Sequence, residues 1–524
     1  MSATPLPWSD SAPPGAPEVL QAVASDATAG GARNRVSGVP GPERTTSASE
    51  ADRRSKLERL RAANVDPYPH EYPGVVPVAD VHAAHPGLAP GEETEEAYRV
   101  AGRLAARRGH GGAAFLDLVD RSGKIQVHAR RDVLGDDSFE LLTSLDLGDL
   151  IGVDGTAFAT RRGELSLRAT DWALLAKSLR APPEKYHGLE DVETRYRRRE
   201  LDLIANEDAR ELFALRSRVI AAVRSWLDAR GFLEVETPVL QALYGGALSR
   251  PFVTHHNALD RDLYLRVATE LYLKRLIVGG LEKVYELGKD FRNEGISYKH
   301  NPEFTMLEWY EAYSDYEDVA RELEELIGFV ASEVGYGGEV DFSPPWRRMT
   351  LRDAIREGTG VDVLEKRDRD ALVAAARENG IELDPGEVWP KLVDELLSKH
   401  VEPELTQPTF VLDYPKELSP FAKDHRSEPG LVERFECFAA GMEFANAFTE
   451  LNDPDEQRAR FESQRRDEAA GDRETQPYDE DFVRALEHGM PPTGGIGVGI
   501  DRLVMILSGR RSIREVVLFP AMRA

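Results

Sequence analysis

The stretch that decides the fold is Phe291-Arg-Asn-Glu-Gly-Ile-Ser-Tyr-Lys-His-Asn-Pro-Glu-Phe-Thr-Met-Leu-Glu-Trp-Tyr310. It starts at the end of a β-like run, crosses a short polar loop and enters a second β-like run that ends in Glu308-Trp-Tyr310. Far downstream lies Gly495-Ile-Gly-Val-Gly-Ile-Asp-Arg502, whose small residues let the backbone approach a ligand closely. The downstream segment lacks the Lys-Ser/Thr ending of a P-loop and follows no Rossmann pattern.

These two segments resemble motifs 2 and 3 of the class II aminoacyl-tRNA synthetases, and the residues around them resemble the lysine-specific family of bacterial type. The resemblance covers the chain from about residue 51 to its end and is densest at 245–313, 443–454 and 491–520. It implies an α+β fold class, in which an N-terminal OB-fold β-barrel precedes a class II catalytic domain. That domain is expected to be built on an antiparallel β-sheet flanked by helices.

Bulk composition limits the classes of function. The chain has 524 residues and a formal net charge of −26, so any tRNA site must be a local basic patch. Its single cysteine, Cys437, excludes an intrachain disulfide and Cys-rich zinc sites and fits a reducing cytoplasm. No apolar run reaches the roughly 18 residues of a spanning helix, and we expect no signal peptide. A cytoplasmic enzyme is therefore expected.

The pattern along the chain predicts four parts. The first is poor in large apolar residues and is expected to be a disordered tail. The second holds a helix carrying Arg53, Arg54, Lys56, Arg59 and Arg61, which is either a solvated charged face or an RNA contact. The parts are a tail (1–50), a basic helix and linker (51–95), an OB-fold anticodon-binding domain (96–180) and a catalytic domain (181–524).

The barrel prediction depends on short apolar runs between 96 and 180 that are separated by glycine and charged turns. About five short strands in this length suit a five-stranded OB barrel. From Arg99 to Arg131 there are eight Lys or Arg and two Asp, so this part of an acidic chain is locally basic and suited to a polyanion.

With the resemblance, we expect Phe115 to stack on an anticodon base and Arg103 and Gln126 to hydrogen-bond base edges. Base–aromatic stacking contributes roughly 1–3 kcal/mol per base, and anticodon loops are single-stranded targets that such folds read. Spacing alone leaves a phenylalanine of the barrel core as an equal alternative for Phe115.

An amphipathic helix from Glu207 to Arg230 ends at Gly231 and leads into Phe232-Leu-Glu-Val-Glu-Thr-Pro238. This helix–strand–proline unit resembles motif 1, which forms the dimer interface in the family. The resemblance therefore implies a homodimer through the segment from Gly231 to Pro238. An ordinary helix–strand pair is the alternative.

The chemistry implied by the resemblance is attack of an amino acid carboxylate on the α-phosphorus of ATP with release of pyrophosphate. Positioning and electrostatics supply most of the rate of such a step. Arg292, Glu294 and Arg502 match the catalytic positions, since a guanidinium can reach a carboxylate and a phosphate together. The residues implied for ATP binding are Arg292, Glu294, His300, Asn301, Phe304, Glu436 and Arg502.

Metal ligands are implied at Glu436 and Glu443, seven residues apart in Arg434-Phe-Glu-Cys-Phe-Ala-Ala-Gly-Met-Glu443. This spacing does not suit one strand, but a turn at Ala-Ala-Gly can bring both carboxylates to one side. Hard carboxylates suit Mg²⁺ that bridges ATP oxygens. The resemblance implies up to three Mg²⁺ ions per active site with ATP.

A pocket for lysine must satisfy two ammonium groups and should be unusually anionic. The resemblance implies Glu270 near the α-amino group and Glu308 and Glu450 around the ε-ammonium, with Tyr310 adding a hydroxyl. An aspartate-specific pocket would need cations here, and we expect none in these segments. The residues implied for lysine binding are Gly246, Glu270, Arg292, Glu308, Tyr310, Asn446, Phe448, Glu450 and Gly497.

The expected function is ligation of L-lysine to the 3′ end of tRNA(Lys) through lysyl-adenylate. Two alternatives stay open: a paralogue that lysylates a non-tRNA acceptor, and a non-catalytic RNA-binding protein on a synthetase scaffold. The barrel argues against the first, because such paralogues lack it. The second is disfavoured by the presence of all five expected site residues, Arg292, Glu294, Glu436, Glu443 and Arg502.

Overall fold

The computed structural model describes residues 46–183, 189–247, 249–469 and 477–523. The predicted tail therefore lies outside the described residues, except for its last five positions. Those positions open the basic helix, α1 (Thr46–Ala62). Within the described part of the chain, no helix combines the length and apolar character needed to cross a bilayer.

The N-terminal strands close into a barrel in the order β1-β2-β3-β5-β4. β3 and β5 pair in parallel, and the other neighbours are antiparallel. This is the five-stranded OB arrangement that the sequence predicts. The elements are α2 (Val78–Ala84), β1 (Glu93–His110), β2 (Ala113–Val119), β3 (Lys124–Arg130), α3 (Arg131–Leu134), α4 (Asp136–Ser144), β4 (Leu150–Ala159) and β5 (Leu165–Ala176).

Period-2 alternation explains the barrel, because successive side chains of a strand point to opposite faces. In β3, Ile125 and Val127 are buried in the barrel core while His128 lies on the outer face. Helix α1 packs on the barrel through Leu60, and its buried Arg53 donates to the Leu147 carbonyl at 2.9 Å. One face of α1 is therefore anchored, and Lys56 also pairs with Asp146. Arg54, Arg59 and Arg61 stay exposed.

The C-terminal part is built on an eight-stranded sheet and its helices. The helices are α5 (Val192–Arg197), α6 (Arg199–Ala205), α7 (Glu207–Asp228), α8 (Glu270–Val278), α9 (Tyr316–Val334), α10 (Leu351–Thr359), α11 (Arg369–Glu378), α12 (Trp389–Leu396), α13 (Pro454–Ala469), α14 (Glu480–Glu487), α15 (Ile500–Ser508) and α16 (Ile513–Val516). The strands are β6 (Leu233–Glu234), β7 (Leu240–Gln241), β8 (Val253–His256), β9 (Arg261–Leu265), β10 (Lys283–Phe291), β11 (Glu303–Ala312), β12 (Arg347–Thr350), β13 (Thr409–Pro415), β14 (Leu431–Ala439), β15 (Met442–Thr449) and β16 (Thr493–Gly499).

The described strands of the large sheet lie in the order β12-β13-β14-β15-β16-β11-β10-β6, and β7-β9-β8 form a small separate sheet. The two edge pairs, β12–β13 and β6–β10, are parallel, and the strands between them are antiparallel. The expected α+β fold class, a barrel followed by an antiparallel sheet with helices, is confirmed.

One face of the large sheet packs on α7, α9 and α15. Trp226, Leu323 and Val504 from these helices meet sheet residues such as Leu307 and Trp309 in one hydrophobic core. Because side chains alternate along β11, Glu308 and Tyr310 point to the opposite face. That opposite face forms the floor of a cavity.

Candidate active site

The cavity lies over strands β11, β14, β15 and β16 and encloses about 320 Å³. Its walls come from α8, the β10–β11 loop and the start of α15. The predicted site residues that line it are Gly246, Glu270, Arg292, Glu294, His300, Asn301, Phe304, Glu308, Tyr310, Glu443, Asn446, Phe448, Glu450, Gly497 and Arg502. Glu436 is not among the described lining residues and lies behind Arg434, which does line the cavity.

The first end of the cavity is formed by the β10–β11 hairpin. Asp290 pairs with Phe304 in the ladder, and the Arg292 amide donates to the Pro302 carbonyl at 2.9 Å, so the loop between them is closed. The Arg292 guanidinium carbon lies 5.1 Å from the centroid of the Phe304 ring. The buried Nε of Arg292 has no hydrogen-bond partner within the described residues and is free to meet a ligand.

Arg502 continues this cationic end from the first turn of α15. Its Nη1 donates to the Glu443 carbonyl at 2.7 Å and to the Glu443 carboxylate at 2.9 Å. Its Nη2 lies 3.3 Å from Nε2 of His300. Burial, together with nearby Arg502 and Lys299, lowers the pKa of His300 to about 4, so the imidazole is neutral at physiological pH.

Glu436 and Glu443 lie on the β14–β15 hairpin, whose turn has positive φ at Ala440 (53°) and Gly441 (72°). Glu436 accepts hydrogen bonds from Arg434 at 2.5 Å and from the Tyr414 hydroxyl at 2.9 Å. Burial and the neighbouring Glu443 raise the pKa of Glu436 to about 7 against the effect of Arg434. The hairpin thus concentrates carboxylates beside two arginines.

The second end of the cavity is anionic. The Tyr310 hydroxyl donates to Glu308 at 3.2 Å, and the Thr269 amide donates to the same carboxylate at 3.2 Å. Burial, with Glu270 among the neighbouring charges, raises the pKa of Glu308 to about 8. Burial likewise raises the pKa of Glu450, to about 8.

Our expectation that this end holds no cation is wrong. Lys274 is fully buried, and its ammonium lies 2.6 Å from Glu270 and also pairs with Glu450. Arg434 is a second cation at the cavity, where its Nε donates to Asn446 at 3.1 Å. The sequence shows that a lysine stands at position 274. It does not show that the side chain of this lysine is buried between two glutamates.

Glycines of β16 allow the strand to form the cavity floor. A Cβ on Gly495 would lie 2.1 Å from a carboxylate oxygen of Glu450 and 2.4 Å from the Tyr310 ring. A Cβ on Gly246, whose φ is +91°, would lie 3.0 Å from the Glu270 Cβ. These two glycines therefore allow the acidic side chains to pack at the bottom of the pocket.

The residues predicted for base recognition lie on the outer face of the barrel. Phe115 is half-buried and stacks on His128, with 4.5 Å between ring centroids and 11° between planes. Gln126 is buried and donates to Glu164 at 3.1 Å. Arg103 already donates to the Gly148 carbonyl at 2.7 Å. The structure thus places Phe115 and Gln126 on the neighbouring strands β2 and β3 and Arg103 on β1, which also pairs with β2.

Sequence reasoning missed other side chains on this face. His128 extends the aromatic surface toward Phe158, with ring centroids 5.9 Å apart, and Arg168 lies over the Phe158 ring at 5.1 Å. The alternation of β3, in which His128 is two residues from Gln126, carries the signal that could have identified His128.

Comparison with known proteins agrees with this geometry. A family model for class II tRNA synthetases (D, K and N) matches residues 191–523, and a model for the OB-fold nucleic acid binding domain matches 98–175. The chain is 51% identical over 492 residues to a lysine–tRNA ligase of Dehalococcoides mccartyi, covering 90% of this chain and 97% of the relative. It is 51% identical over 480 residues to that of Moorella thermoacetica, with the same coverage, and 50% identical over 480 residues to that of Bacillus subtilis, covering 90% and 96%.

The chain belongs to the class II tRNA synthetase family, among its lysine–tRNA ligases. This membership confirms the resemblance read from the segments around Arg292 and Arg502. The matched OB-fold range lies within β1 to β5, and the matched synthetase range contains every element that lines the cavity.

Proposed function

We propose that this protein is a lysine–tRNA ligase: it activates L-lysine with ATP to lysyl-adenylate and pyrophosphate and then transfers the lysyl group to the 3′ end of tRNA(Lys). One observation carries the proposal. A single cavity joins a cationic end, with Arg292 and Arg502, to an acidic end that holds Glu308 and Glu450. A ligand with phosphates at one end and ammonium groups at the other fits this distribution of charge.

The nucleotide would bind at the cationic end. Phe304 offers a ring face for adenine, and Arg292 beside it can contact the α-phosphate and the lysine carboxylate through its planar fork. Arg502 at the start of α15 would bind the γ-phosphate end, while Glu294, His300 and Asn301 would hold the rest of ATP. Fixed cations aimed at developing phosphate charge lower the barrier without reorganisation during the reaction.

Lysine would bind at the acidic end. Glu308 and Tyr310, which are hydrogen-bonded to each other, would face the ε-ammonium together with Glu450, and Glu270 would lie toward the α-amino group. Glu450 lines the cavity and pairs with the buried Lys274, and the ammonium of a lysine ligand would approach the same carboxylate. Asn446, Phe448 and the backbone of Gly246 and Gly497 complete the expected pocket.

Glu436 and Glu443 are the candidate ligands for Mg²⁺. Their hard oxygen donors on one hairpin beside the cationic end of the cavity fit such an ion. When bound, Mg²⁺ would offset negative charge on the ATP phosphates. We expect up to three ions per site with ATP. Arg434 and Arg502, which now pair with the two glutamates, would hold these carboxylates in place.

Two further expectations belong to the proposal. The outer barrel face around Phe115, Gln126 and Arg103 would read the anticodon, supported by the local excess of basic residues. Two chains would form a homodimer through the segment from Gly231 to Pro238. Exposed apolar side chains support this, since Leu233 within the segment is 52% exposed and Leu240, two residues after it, is 48% exposed. The single buried Cys437 suits a reducing cytoplasm.

The first experiment is ATP–pyrophosphate exchange by the full chain with Mg²⁺ and each of the twenty amino acids, followed by charging of tRNA(Lys). Exchange with lysine alone, together with charging, supports the proposal. Exchange without charging favours lysylation of a non-tRNA acceptor. No exchange with any amino acid favours a non-catalytic RNA-binding scaffold, and exchange with aspartate or asparagine rejects the lysine pocket.

The same assay tests the acidic end through Glu450→Gln. Because a hydrogen bond to a charged group contributes about 1.5–3 kcal/mol, we expect the KM for lysine to rise about tenfold or more. The KM for ATP should stay near the wild-type value, since ATP is expected at the opposite end. An unchanged KM for lysine would contradict the assignment of Glu450.

A further inference from the structure

Lys274, in the first turn and a half of α8, is a buried lysine whose ammonium lies between two carboxylates of the cavity. Its Nζ is 2.6 Å from Glu270, four residues earlier on the same helix, and it also pairs with Glu450 beyond the end of β15. The side chains of Lys274 and Glu450 are both 0% exposed. The ring of Phe421 covers the ammonium at 5.2 Å from its centroid.

A space-filling role does not account for an ammonium in this position. Removing a charged group from water costs several kcal/mol unless it is paired, and an apolar side chain of similar volume often replaces a buried ion pair at no loss of stability. Although burial opposes it, Glu270 and Glu450 raise the pKa of Lys274, so the side chain remains an ammonium. The cost of burying it indicates that its charge has a function.

The charges facing this group suggest which function. Glu270 lies on α8, Glu308 and Tyr310 on β11, and Glu450 after β15. Outside this set, Arg434 on β14 acts on Glu270, and Asp290 on β10 acts on Glu308. With all three glutamates ionised, Lys274 leaves a net charge of minus two, which matches the two ammonium groups of a lysine ligand. The carboxylate of that ligand would pair separately with Arg292.

We propose that Lys274 is a specificity-determining residue, which favours the ionised forms of Glu270 and Glu450 and, when these carboxyl groups and Glu308 are ionised, sets the net charge of the acidic end to match a ligand with two ammonium groups. This inference rests on the proposed function, because it assigns a role at the same lysine pocket. It also distinguishes Lys274 from the glutamates, since Lys274 acts through them and does not bind the substrate.

Removing the Lys274 ammonium should raise the pKa values of Glu270 and Glu450. Lys274 lowers the pKa of Glu270 and of Glu450 against the effect of burial. Without it, these carboxyl groups bind protons at higher pH, and a protonated carboxyl does not attract an ammonium. The acid limb of the kcat/KM profile for lysine should therefore move to higher pH, while binding of ATP at the opposite end is unaffected.

The test is ATP–pyrophosphate exchange by the full chain between about pH 6.5 and 9, the range in which the perturbed carboxyl groups titrate. The variants are Lys274→Met, which keeps the length of the side chain, Glu270→Gln, and the double variant Lys274→Met/Glu270→Gln, which restores a net charge of minus two. The control is Lys399→Met. Lys399 also pairs with a glutamate four residues earlier, Glu395, but it is 65% exposed.

We expect Lys274→Met to lower kcat/KM for lysine about tenfold or more near neutral pH, a change of roughly 1.4 kcal/mol, with the KM for ATP unchanged. The double variant should recover much of this loss and should bind lysine more tightly than Glu270→Gln alone. The comparison of the double variant with Glu270→Gln tests the inference even if Lys274→Met does not fold.

The inference would be overturned if Lys274→Met kept the wild-type KM for lysine and the wild-type pH profile. It would also be overturned if the double variant bound lysine more weakly than Glu270→Gln. An equal loss in Lys399→Met would show that the effect is not specific to the pocket and would also overturn it. A wild-type chain without lysine-dependent exchange rejects the proposed function itself, which separates the two failures.

Discussion

At the scale of single residues, a substitution of Arg292 tests whether its planar guanidinium contributes to the reaction. Its guanidinium lies 5.1 Å from the Phe304 ring centroid, and its buried Nε has no protein acceptor among the described residues. Lysine keeps the charge but cannot contact a carboxylate and a phosphate with one planar group. We expect Arg292→Lys to lower kcat in pyrophosphate exchange about 100-fold, as loss of one fixed charge donor does elsewhere.

The matched control for this change is Arg347→Lys, since Arg347 pairs with Glu357 and is 55% exposed. It should leave exchange unchanged. If Arg292→Lys kept the wild-type kcat, bidentate contact by Arg292 would not contribute to the reaction.

At the scale of elements, most of the strands and site motifs could be predicted from short stretches of sequence. The short apolar runs separated by glycine and charged turns predicted the barrel. The stretch from Phe291 to Tyr310 predicted the two β-like runs that form the hairpin of β10 and β11. The pocket residues were read from motifs, because each motif keeps its members within a few residues. Contacts between residues that are distant in the sequence could not be predicted in this way. One example is the contact between Lys299 and Glu402, which are 103 residues apart and lie within 2.5 Å.

The inward position of Lys274 was hidden for the same reason. Its pairing with Glu450 joins α8 to the strand end after β15, and no local periodicity indicates which side of a helix faces a later strand. A second contact of this kind joins Arg103 to the Gly148 carbonyl, which is 45 residues away, and base recognition by Arg103 stays a prediction.

The stacked pair of β2 and β3 gives a prediction at this scale. If Phe115 stacks on an anticodon base, Phe115→Leu removes roughly 1–3 kcal/mol of stacking, and the KM for tRNA in aminoacylation rises about tenfold. Phe115→Tyr keeps a ring face and should retain most of the affinity. Pyrophosphate exchange, which needs no tRNA, should be equal in all three proteins. Equal tRNA KM values for the leucine and tyrosine variants would show that Phe115 serves the barrel rather than the RNA.

At the scale of the whole molecule, the exposed apolar side chains around the small sheet predict a second copy of the chain. Val253 of β8 is 59% exposed, Leu240 of β7 is 48% exposed, and Leu233 of β6 is 52% exposed. A large exposed apolar patch marks an interaction site, and we predict that these three side chains belong to one. The segment from Gly231 to Pro238 is linked toward the pocket, because Arg266, which follows β9, donates to the Thr237 carbonyl at 3.3 Å and lies 3.1 Å from Asp290. Asp290 pairs in the ladder with Phe304, which lines the cavity.

We therefore expect sedimentation velocity to show a dimer of the full chain, and Leu240→Glu to shift it toward the monomer at micromolar concentration by placing a charge in the buried interface. Val388→Glu is the matched control: it changes a side chain with similar exposure, 49%, outside this surface and should leave the dimer intact. Because Arg266 links the segment at Thr237 to Asp290, the monomeric variant should also lose lysine-dependent exchange. A monomeric wild type would remove the dimer from the proposal, whereas a fully active Leu240→Glu monomer would keep the dimer and reject its coupling to the pocket.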